Sequence, residues 1–264
     1  MKIIFSRKGF DSSSGGGPSP IIGGVPVSLP IPGAAGEPYC FGDLSHPAGG
    51  PLAPLAEQHG KGGLTARHPA HHDPQIPWTP GPAVLGQQGA AQAHLVNQGV
   101  GPGDVFVFFG LFRDFSAPRE DPDARPHHRI FGMMRVAELI HPGAEGAPGR
   151  WRSYGLPGPH PHTDRPRSLA NNALWLGEGR LARNTSPDLR LTVPGASPSL
   201  WQVPEWLVRH GLSYHSKPER WLEGNRLQIA SRGQEFVCDA GDDPAAADWA
   251  AALWALLGEA AKPA

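Results

Sequence analysis

The stretch Asp104-Val-Phe-Val-Phe-Phe-Gly-Leu-Phe112 decides the fold class of this chain. Its β-branched and aromatic residues are typical of a strand, and it follows the turn Gly101-Pro-Gly103. A second apolar run, Arg129 to Ile140, comes after a polar, proline-rich loop at 113–128. Two such runs joined by one loop predict a pair of antiparallel strands.

Shorter elements extend outward from this pair. Lys2 to Ser6 predicts a first strand, and Ile21 to Ile31 an extended segment with a hairpin turn at Gly23-Gly24. Residues 89–99 predict a helix, because good helix formers end at Gly99, where a C-cap glycine belongs. Further short strands are expected at 173–177, 189–193, 226–230 and 235–238. A last helix is expected at 243–260, where Asp243-Pro244 forms its start.

These elements predict an α+β fold with a mostly antiparallel sheet and a few helices. No shift in composition divides the chain, so a single domain over residues 1–264 is expected. Proline and glycine recur too often for a long helix at 33–82. We therefore expect long loop regions at 33–82 and 141–170.

Glycine and proline dominate the composition, with 35 and 31 residues among 264. Such a share is typical of low-complexity chains, but disordered chains also combine low hydrophobicity with high net charge. Here the net charge is −1, only 18% of the residues are charged, and eight tryptophans add large apolar surfaces. We therefore expect a folded protein with many ordered loops.

The same sequence argues against several classes of protein. No apolar stretch approaches the roughly 20 residues that cross a bilayer, and the N-terminus lacks the apolar core of a signal peptide. Two cysteines, Cys40 and Cys238, are too few for a disulfide scaffold or a four-cysteine zinc site. The balanced charge gives no overall basic field, so nucleic-acid binding has to depend on a local patch. We expect a cytoplasmic protein that does not associate with membranes.

The N-terminal block has the densest chemistry. Arg7, Lys8, Asp11 and Ser12 follow the first strand, and the glycines at 15–17 come next. Glycine-rich backbone approaches a ligand closely and can aim N–H groups at an anion, so a phosphate or nucleotide is the expected ligand. The alternative is a solvated turn with incidental charges.

A second block runs from Gly86 to His94 and contains Gln87 and Gln92. Glutamine amides can bind the edge of a base, and the N-terminus of a helix favours phosphate. The alternative is a helix of small residues that packs close to a sheet, with Gln92 as an N-terminal cap.

Thirteen histidines suggest a metal site. The best ligand candidates are His71, His72 and Asp73, which are consecutive in a predicted loop. His127-His128 and His160-Pro-His162 form other clusters, but none has the spacing of a helical zinc motif. The first cluster could equally consist of polar loop residues, or of an acid/base pair that acts on a bound ligand.

A last block precedes the predicted strand at 235–238. Arg232, Gln234 and Glu235 combine an anion-binding guanidinium, an amide and a carboxylate, unless they form an exposed hairpin turn. Trp201 and Trp206 are expected to pack in the core or in loops. The chain has no Gly-x-Ser-x-Gly elbow, and nothing local activates either cysteine, so no nucleophile is predicted.

Together these blocks resemble the nucleotide modification associated domain 3 family. The matching segments run in order along the chain: 6–13, 16–20, 86–87, 89–92, 94–95, 97–104, 112–113, 130–132, 171–172, 200–201 with Pro204 and Trp206, 213–215 and 232–237. Members of this family are associated with bacterial and phage systems that modify nucleotides or DNA bases. The resemblance favours Arg7, Lys8, Asp11, Gln92, Arg232, Gln234 and Glu235 as site residues. It does not extend to the histidines at 127–128 and 160–162.

A smaller resemblance concerns the two central strands. A Gly-Asp turn before an aromatic strand, followed by Ile-Phe-Gly-Met-Met-Arg-Val, is similar to paired strands of PUA-like domains of the ASCH and EVE kinds. Those domains are barrels that bind nucleic acid or modified bases. The resemblance implies a barrel-like sheet, as an analogy of fold alone.

The leading hypothesis is therefore a protein that binds a nucleotide or nucleic acid and takes part in modification of DNA or nucleotide bases. The catalytic candidates are Asp11, His94 and Glu235. The ligand-binding candidates are Arg7, Lys8, Ser12, Gln87, Gln92, Arg113, Arg232 and Gln234. Because a neighbouring cation lowers the pKa of a carboxyl group, Asp11 or Glu235 is expected to act as a base or an orienting anion.

Two alternatives remain open at the level of the sequence. One is a metal-assisted hydrolase that uses His71, His72 and Asp73 with a distant carboxylate. The other is a non-catalytic protein whose tryptophan and proline loops bind a protein partner. The sequence indicates no cofactor.

Overall fold

The computed structural model describes residues 1–142, 158–163, 171–231 and 233–260. The strands in these residues are β1 (Lys2–Arg7), β2 (Ser19–Ile22), β3 (Val25–Pro26), β4 (Ile31–Pro32), β5 (Ala70–His71), β6 (Gly81–Gln87), β7 (Val105–Arg113), β8 (His127–Ile140), β9 (Ala173–Leu181), β10 (Leu200–Gln202), β11 (Trp221–Leu222), β12 (Arg226–Gln228) and β13 (Glu235–Asp239). The helices are α1 (Ala53–His59), α2 (Gly89–Asn97), α3 (Glu205–His210) and α4 (Pro244–Leu257).

One mixed sheet forms the centre of the structure, with the strand order β13-β1-β7-β8-β9-β6. The predicted antiparallel pair is confirmed: Val105 pairs with Arg135 at one end of β7 and β8, and Phe112 with His127 at the other. β1 runs parallel to β7 and antiparallel to β13. The β2–β3 hairpin turns at Gly23-Gly24, as expected, and β2 joins the sheet beside β7.

Both faces of β7 are buried, which explains why its sequence is apolar without a break. Val105, Val107 and Phe109 belong to one hydrophobic cluster, which α3 and α4 cover. Phe106 and Phe108 belong to a second cluster on the opposite face, which α2 covers. The tryptophans expected to pack do so, since Trp201 and Trp206 are buried in the first cluster.

Several predicted boundaries need correction. The 33–82 region is not loop alone, because it contains α1, β5 and the start of β6. β6 was not predicted, because it begins with Gly81 and Pro82, which are rare in strands; its last five residues are nevertheless buried. No strand forms at 189–193: a 3₁₀ turn at Pro187–Leu189 precedes single bridges from Arg190 and Thr192. Most of 141–170 lies outside the described residues.

The α+β class and the mostly antiparallel sheet are confirmed. The sheet ends at β13 on one side and β6 on the other, and the described residues form no closed barrel. The barrel-like and PUA-like expectations are therefore not confirmed. Of the helices in the described ranges, none is long and apolar enough to cross a lipid bilayer.

Candidate functional site

A cleft of about 700 Å³ opens beside one end of the central sheet. Its walls come from the end of β1, the end of β6, the first turn of α2 and the start of β13. These segments meet because β13 runs antiparallel to β1, which places Glu235 directly opposite Ser6. Lys8 is two residues beyond Ser6 on an extended chain, so its side chain lies on the same side as those of Ser6 and Glu235.

Glu235 is the buried centre of this wall. The Ser6 hydroxyl donates to its Oε1 at 3.0 Å, the Lys8 ammonium at 3.2 Å, and the Gln87 amide also donates to the same oxygen. Its Oε2 is buried and has no hydrogen-bond partner among the described residues. One oxygen of this carboxyl group is therefore held by three donors, while the other has none among the described residues.

Burial raises the pKa of Glu235, and the nearby Asp73 charge adds to the effect, although Lys8 and Ser6 oppose it. The sequence-based expectation that a neighbouring cation leaves Glu235 with a lowered pKa is therefore wrong. The physical reason is that the carboxyl group is 1% exposed, so loss of hydration outweighs the attraction of Lys8.

Asp73 lies in the same cleft and has the opposite character. Its Oδ1 accepts hydrogen bonds from the backbone N–H of Gly86 at 2.8 Å and from His160 Nε2 at 3.2 Å. Burial acts to raise the pKa of Asp73, but the hydrogen bond from His160 and the charge of Lys8 outweigh it and hold that pKa well below its usual range. Two carboxyl groups whose pKa values are displaced in opposite directions are a pattern of acid/base sites.

His71, Asp73 and His162, which we call the ligand trio, offer polar atoms that lie within 4.8 Å of one another. Glu37 Oε1 is 3.1 Å from His71 Nδ1, and Asn172 Oδ1 is 2.6 Å from His162 Nδ1. Burial lowers the pKa of both imidazoles and so favours their neutral form, although the charge of Asp73 acts in the opposite direction. Two neutral imidazoles and one carboxylate form a donor set that suits a divalent transition-metal ion.

An aromatic pair forms part of the opposite wall. The rings of His94 and Tyr214 have centroids 4.4 Å apart and an interplanar angle of 31°. The Ser213 hydroxyl is 2.9 Å from His94 Nε2 and fixes the imidazole. Tyr214 is 51% exposed and has a φ of +65°. This backbone conformation is rare for a bulky residue, and such strain concentrates at ligand-binding positions.

An arginine, Arg7, also lines the cleft, together with the Asp11 carboxylate, whose charge acts on it. The Arg7 guanidinium lies over the rings of Phe109 and Phe236, at 5.7 and 5.8 Å from their centroids. It donates long hydrogen bonds of 3.5 and 3.4 Å to the carbonyls of Ser231 and Ala230. The first turn of α2 is next to the same space, and the side chain of its N-cap residue, Gln88, makes no capping hydrogen bond.

The structure brings most of the predicted site residues together. The cleft is lined by Arg7, Lys8, Asp11, His71, Asp73, Gln87, His94, Gln234 and Glu235. Asp11 has a local task as well, because its Oδ1 accepts three hydrogen bonds of 2.7 Å from Ser13 and Ser14 and closes the turn there.

Other predicted residues lie elsewhere. Gln92 is fully buried, and its Oε1 accepts a hydrogen bond from the Trp175 indole at 3.0 Å. It does not cap α2, whose N-cap residue is Gln88. Among the described residues that line the cleft, Ser12, Arg113 and His72 do not occur. Arg113 packs on Phe115, whereas His72 packs on Tyr39. Arg232 lies outside the described residues.

Four cleft or supporting residues were not predicted: Glu37, His162, Asn172 and Tyr214. Asn172 and Tyr214 belong to blocks that resemble the family, but nothing in the sequence links them to a site. For the ligand trio, one signal was available: His71 and Asp73 are two positions apart, and alternate residues of an extended chain point to the same side. Nothing in the sequence indicates that His162 joins them.

Comparison with protein-family models gives a match over most of the chain. The model described as nucleotide modification associated domain 3 matches residues 2–239. The chain belongs to this family. The match includes every residue of the cleft named above, from Arg7 to Glu235. Membership of the nucleotide modification associated domain 3 family indicates a role in nucleotide modification. Comparisons with curated proteins and with solved structures gave no match.

Proposed function

We propose that this protein is a nucleotide-modifying enzyme whose cleft binds a nucleotide, either free or within a nucleic acid. The observation that carries the proposal is the buried Oε2 of Glu235, which has no partner among the described residues in the wall of the cleft. Buried polar atoms in proteins are almost always hydrogen-bonded. A polar ligand group therefore completes the environment of Glu235.

The aromatic wall suits the base of the nucleotide. Tyr214 is half exposed beside the cleft and is backed by His94, so a base can stack on a ring that is already held. Stacking on an aromatic side chain contributes about 1–3 kcal/mol per base. The amide of Gln234, which also lines the cleft, can bind the edge of that base.

The phosphate belongs at the mouth of the cleft. Arg7 lines the cleft and holds the carbonyls of Ser231 and Ala230 only at long distances, so its N–H groups can turn to an anion. The first turn of α2, which the Gln88 side chain does not cap, adds N–H donors and the positive end of the helix dipole. Lys8, in contrast, is committed to Glu235 and acts as a positioning residue.

The two carboxyl groups divide the chemistry between them. Glu235, with its raised pKa, takes up a proton more readily than an ordinary glutamate and passes it to a ring nitrogen or carbonyl oxygen of the base. Asp73, with its lowered pKa, stays ionised and supplies a negative charge beside the reacting group, either directly or by holding a cation there. A protein that only binds a modified base, without catalysis, could use the same cleft, but such binding would not require the ionised Asp73.

Calorimetric titration with nucleoside mono- and triphosphates and short single-stranded oligonucleotides, without added metal, tests the proposal. We expect binding of at least one nucleotide by the wild-type protein, and about tenfold weaker binding in Arg7→Ala and in Tyr214→Ala. Arg119→Ala removes an exposed arginine that does not line the cleft and is the matched control.

Three results would contradict the proposal. The wild-type protein could bind none of these compounds, or Arg119→Ala could weaken binding as much as Arg7→Ala. The third result is that Glu235→Gln, after incubation with the bound nucleotide in a cell extract, yields the same products by mass spectrometry as wild type. That outcome would leave a binding protein without the proposed acid.

A further inference from the structure

We propose that His71, Asp73 and His162 bind a divalent transition-metal ion in the wall of the cleft. The first argument is convergence: the three ligand atoms lie within 4.8 Å of one another, although His162 comes from a segment far along the chain from the other two. Metal binding does not depend on the proposed function, but the substrate on which the ion acts does.

The second argument is that another group orients each member of the ligand trio. The carboxylate of Glu37 meets His71 Nδ1, and the amide oxygen of Asn172 meets His162 Nδ1. Metal-binding histidines usually have such a partner on the ring nitrogen that does not touch the metal. Nε2 of each imidazole is therefore the proposed ligand atom.

Asp73 is oriented in the same way. The hydrogen bonds that Gly86 and His160 give to it both reach Oδ1, which directs Oδ2 to the ion. His160 itself is a positioning residue. Its Nδ1 accepts the backbone N–H of His162 at 3.2 Å, so its Nε2 carries the proton that it donates to Asp73.

The third argument is that the backbone makes room for this cluster. A Cβ atom on Gly86 would lie 2.2 Å from the His162 ring and 2.8 Å from the His160 ring. Only glycine therefore allows β6 to approach both imidazoles while its N–H binds Asp73. Gly86 is extended and needs no left-handed φ, so close packing of the histidines is the reason for glycine at this position.

Three protein ligands leave coordination positions for water or substrate, as catalytic metal sites do. The members of the ligand trio line the same cleft as Glu235, so a bound water or substrate oxygen would face that carboxyl group. The neighbouring cation, Lys8, has its charge balanced by Glu235. Nitrogen-rich donors favour Zn²⁺, Fe²⁺ or Mn²⁺ over Mg²⁺ or Ca²⁺.

The test is metal binding by protein that was purified without a histidine tag and stripped with a chelator. Titration with ZnCl₂, MnCl₂ and, without oxygen, FeSO₄ should give one equivalent of bound metal for at least one ion. Absorption of a Co²⁺-substituted sample should show a single site with imidazole ligands. We expect Asp73→Asn and His162→Ala to abolish the signal, and Glu37→Gln to weaken binding about 10- to 100-fold.

The matched control is His72→Gln. His72 lies in the sequence between the proposed ligands His71 and Asp73, but its side chain contacts Tyr39 and lines another cavity, of about 280 Å³. This variant should keep the ion. Circular dichroism shows whether each variant folds. If His162→Ala does not fold, His162→Asn takes its place. A wild-type protein that binds none of the three ions, or a folded His162→Asn that binds as wild type does, would overturn the proposal. Because nucleotide binding is measured without added metal, failure of one proposal is distinguishable from failure of the other.

Discussion

Lys8 Nζ and Glu235 Oε1 are 3.2 Å apart in side chains that are 10% and 1% exposed. The two residues come from opposite ends of the chain and meet where β1 pairs with β13. Ser6 and Gln87 donate to the same oxygen, so a cation and two neutral donors meet one buried carboxyl group. Glu235 is part of the central sheet, and both Lys8 and Glu235 line the cleft.

Removal of Lys8 should therefore destabilise the fold. Lys8→Met removes the cation that opposes the effect of burial on the pKa of Glu235. The free energy of unfolding should fall, but by less than the ~3–5 kcal/mol of a pair that stays fully charged, because Glu235 can take up a proton. The double variant Lys8→Met/Glu235→Gln should recover a large part of that loss, because it buries no charge. Urea unfolding of the single and double variants measures both effects. Additive losses would show that the two side chains are not coupled.

The stability of the protein should decline as the pH rises above the ordinary range of a glutamic acid. Because burial raises the pKa of Glu235 in the folded state, the folded protein binds this proton more tightly than the unfolded chain. Its contribution is fully present below the unfolded pKa and is lost as the pH rises through the folded pKa. Glu235→Gln should flatten this part of the profile, measured as the free energy of unfolding between pH 4 and pH 8. An unchanged slope would argue against a raised pKa.

His128 should stay neutral far into the acid range. Burial lowers its pKa to about 3, and the charge of Arg7 adds to the effect. The Trp201 indole donates to His128 Nδ1 at 3.0 Å, an interaction that only the neutral ring accepts. A lowered histidine pKa contributes stability above the unfolded pKa that is lost as the pH falls towards the folded one. A nitrogen NMR titration of the histidines measures this directly, and a midpoint near 6.5 for His128 would contradict it.

Replacement of Tyr214, whose φ is positive, should weaken ligand binding with little effect on stability. Tyr214→Gly removes the contact with His94 but relieves a left-handed conformation that costs an ordinary residue about 1–2 kcal/mol. The free energy of unfolding should therefore change by less than about 1 kcal/mol, while nucleotide binding weakens at least tenfold through lost stacking. Thermal unfolding and calorimetry on one preparation give both values. A large loss of stability would identify Tyr214 as a packing residue instead.

A second buried charge cluster, away from the cleft, should be purely structural. Asp123 accepts two hydrogen bonds from Arg129, at 3.1 and 2.9 Å, and another from Arg190. Asp123→Asn leaves two largely buried guanidinium groups without their carboxylate and should cost about 3–5 kcal/mol in unfolding free energy. Nucleotide and metal binding by the folded variant should match wild type. Reduced binding at full stability would instead connect this cluster to the cleft.

The sequence predicts the parts of the fold that depend on local patterns. β7 and β8 are recognisable because a strand buried on both faces is apolar throughout. β6 is not recognisable from its sequence, because its glycines and proline are not typical of a strand. Gly86 is glycine because the His162 ring packs against its backbone. A contact between residues 86 and 162 leaves no trace in either local sequence.

The same distinction applies to the candidate site. Arg7, Lys8 and Glu235 were predicted because charged and polar residues lie at the ends of predicted strands, in blocks that resemble the family. Their roles were not, because the burial that raises the pKa of Glu235 comes from the whole fold. Gln92 shows the opposite error, since its amide binds a core tryptophan that the sequence does not place beside it.

The pairing of β1 with β13 also constrains the order in which the protein becomes functional during synthesis. Ser6 is synthesised 229 residues before Glu235, the residue with which it pairs. A nascent chain therefore carries an exposed lysine and an unfilled sheet edge on β1 until translation has passed residue 239. A product that terminates before β13 lacks Glu235, so it cannot complete the wall of the cleft.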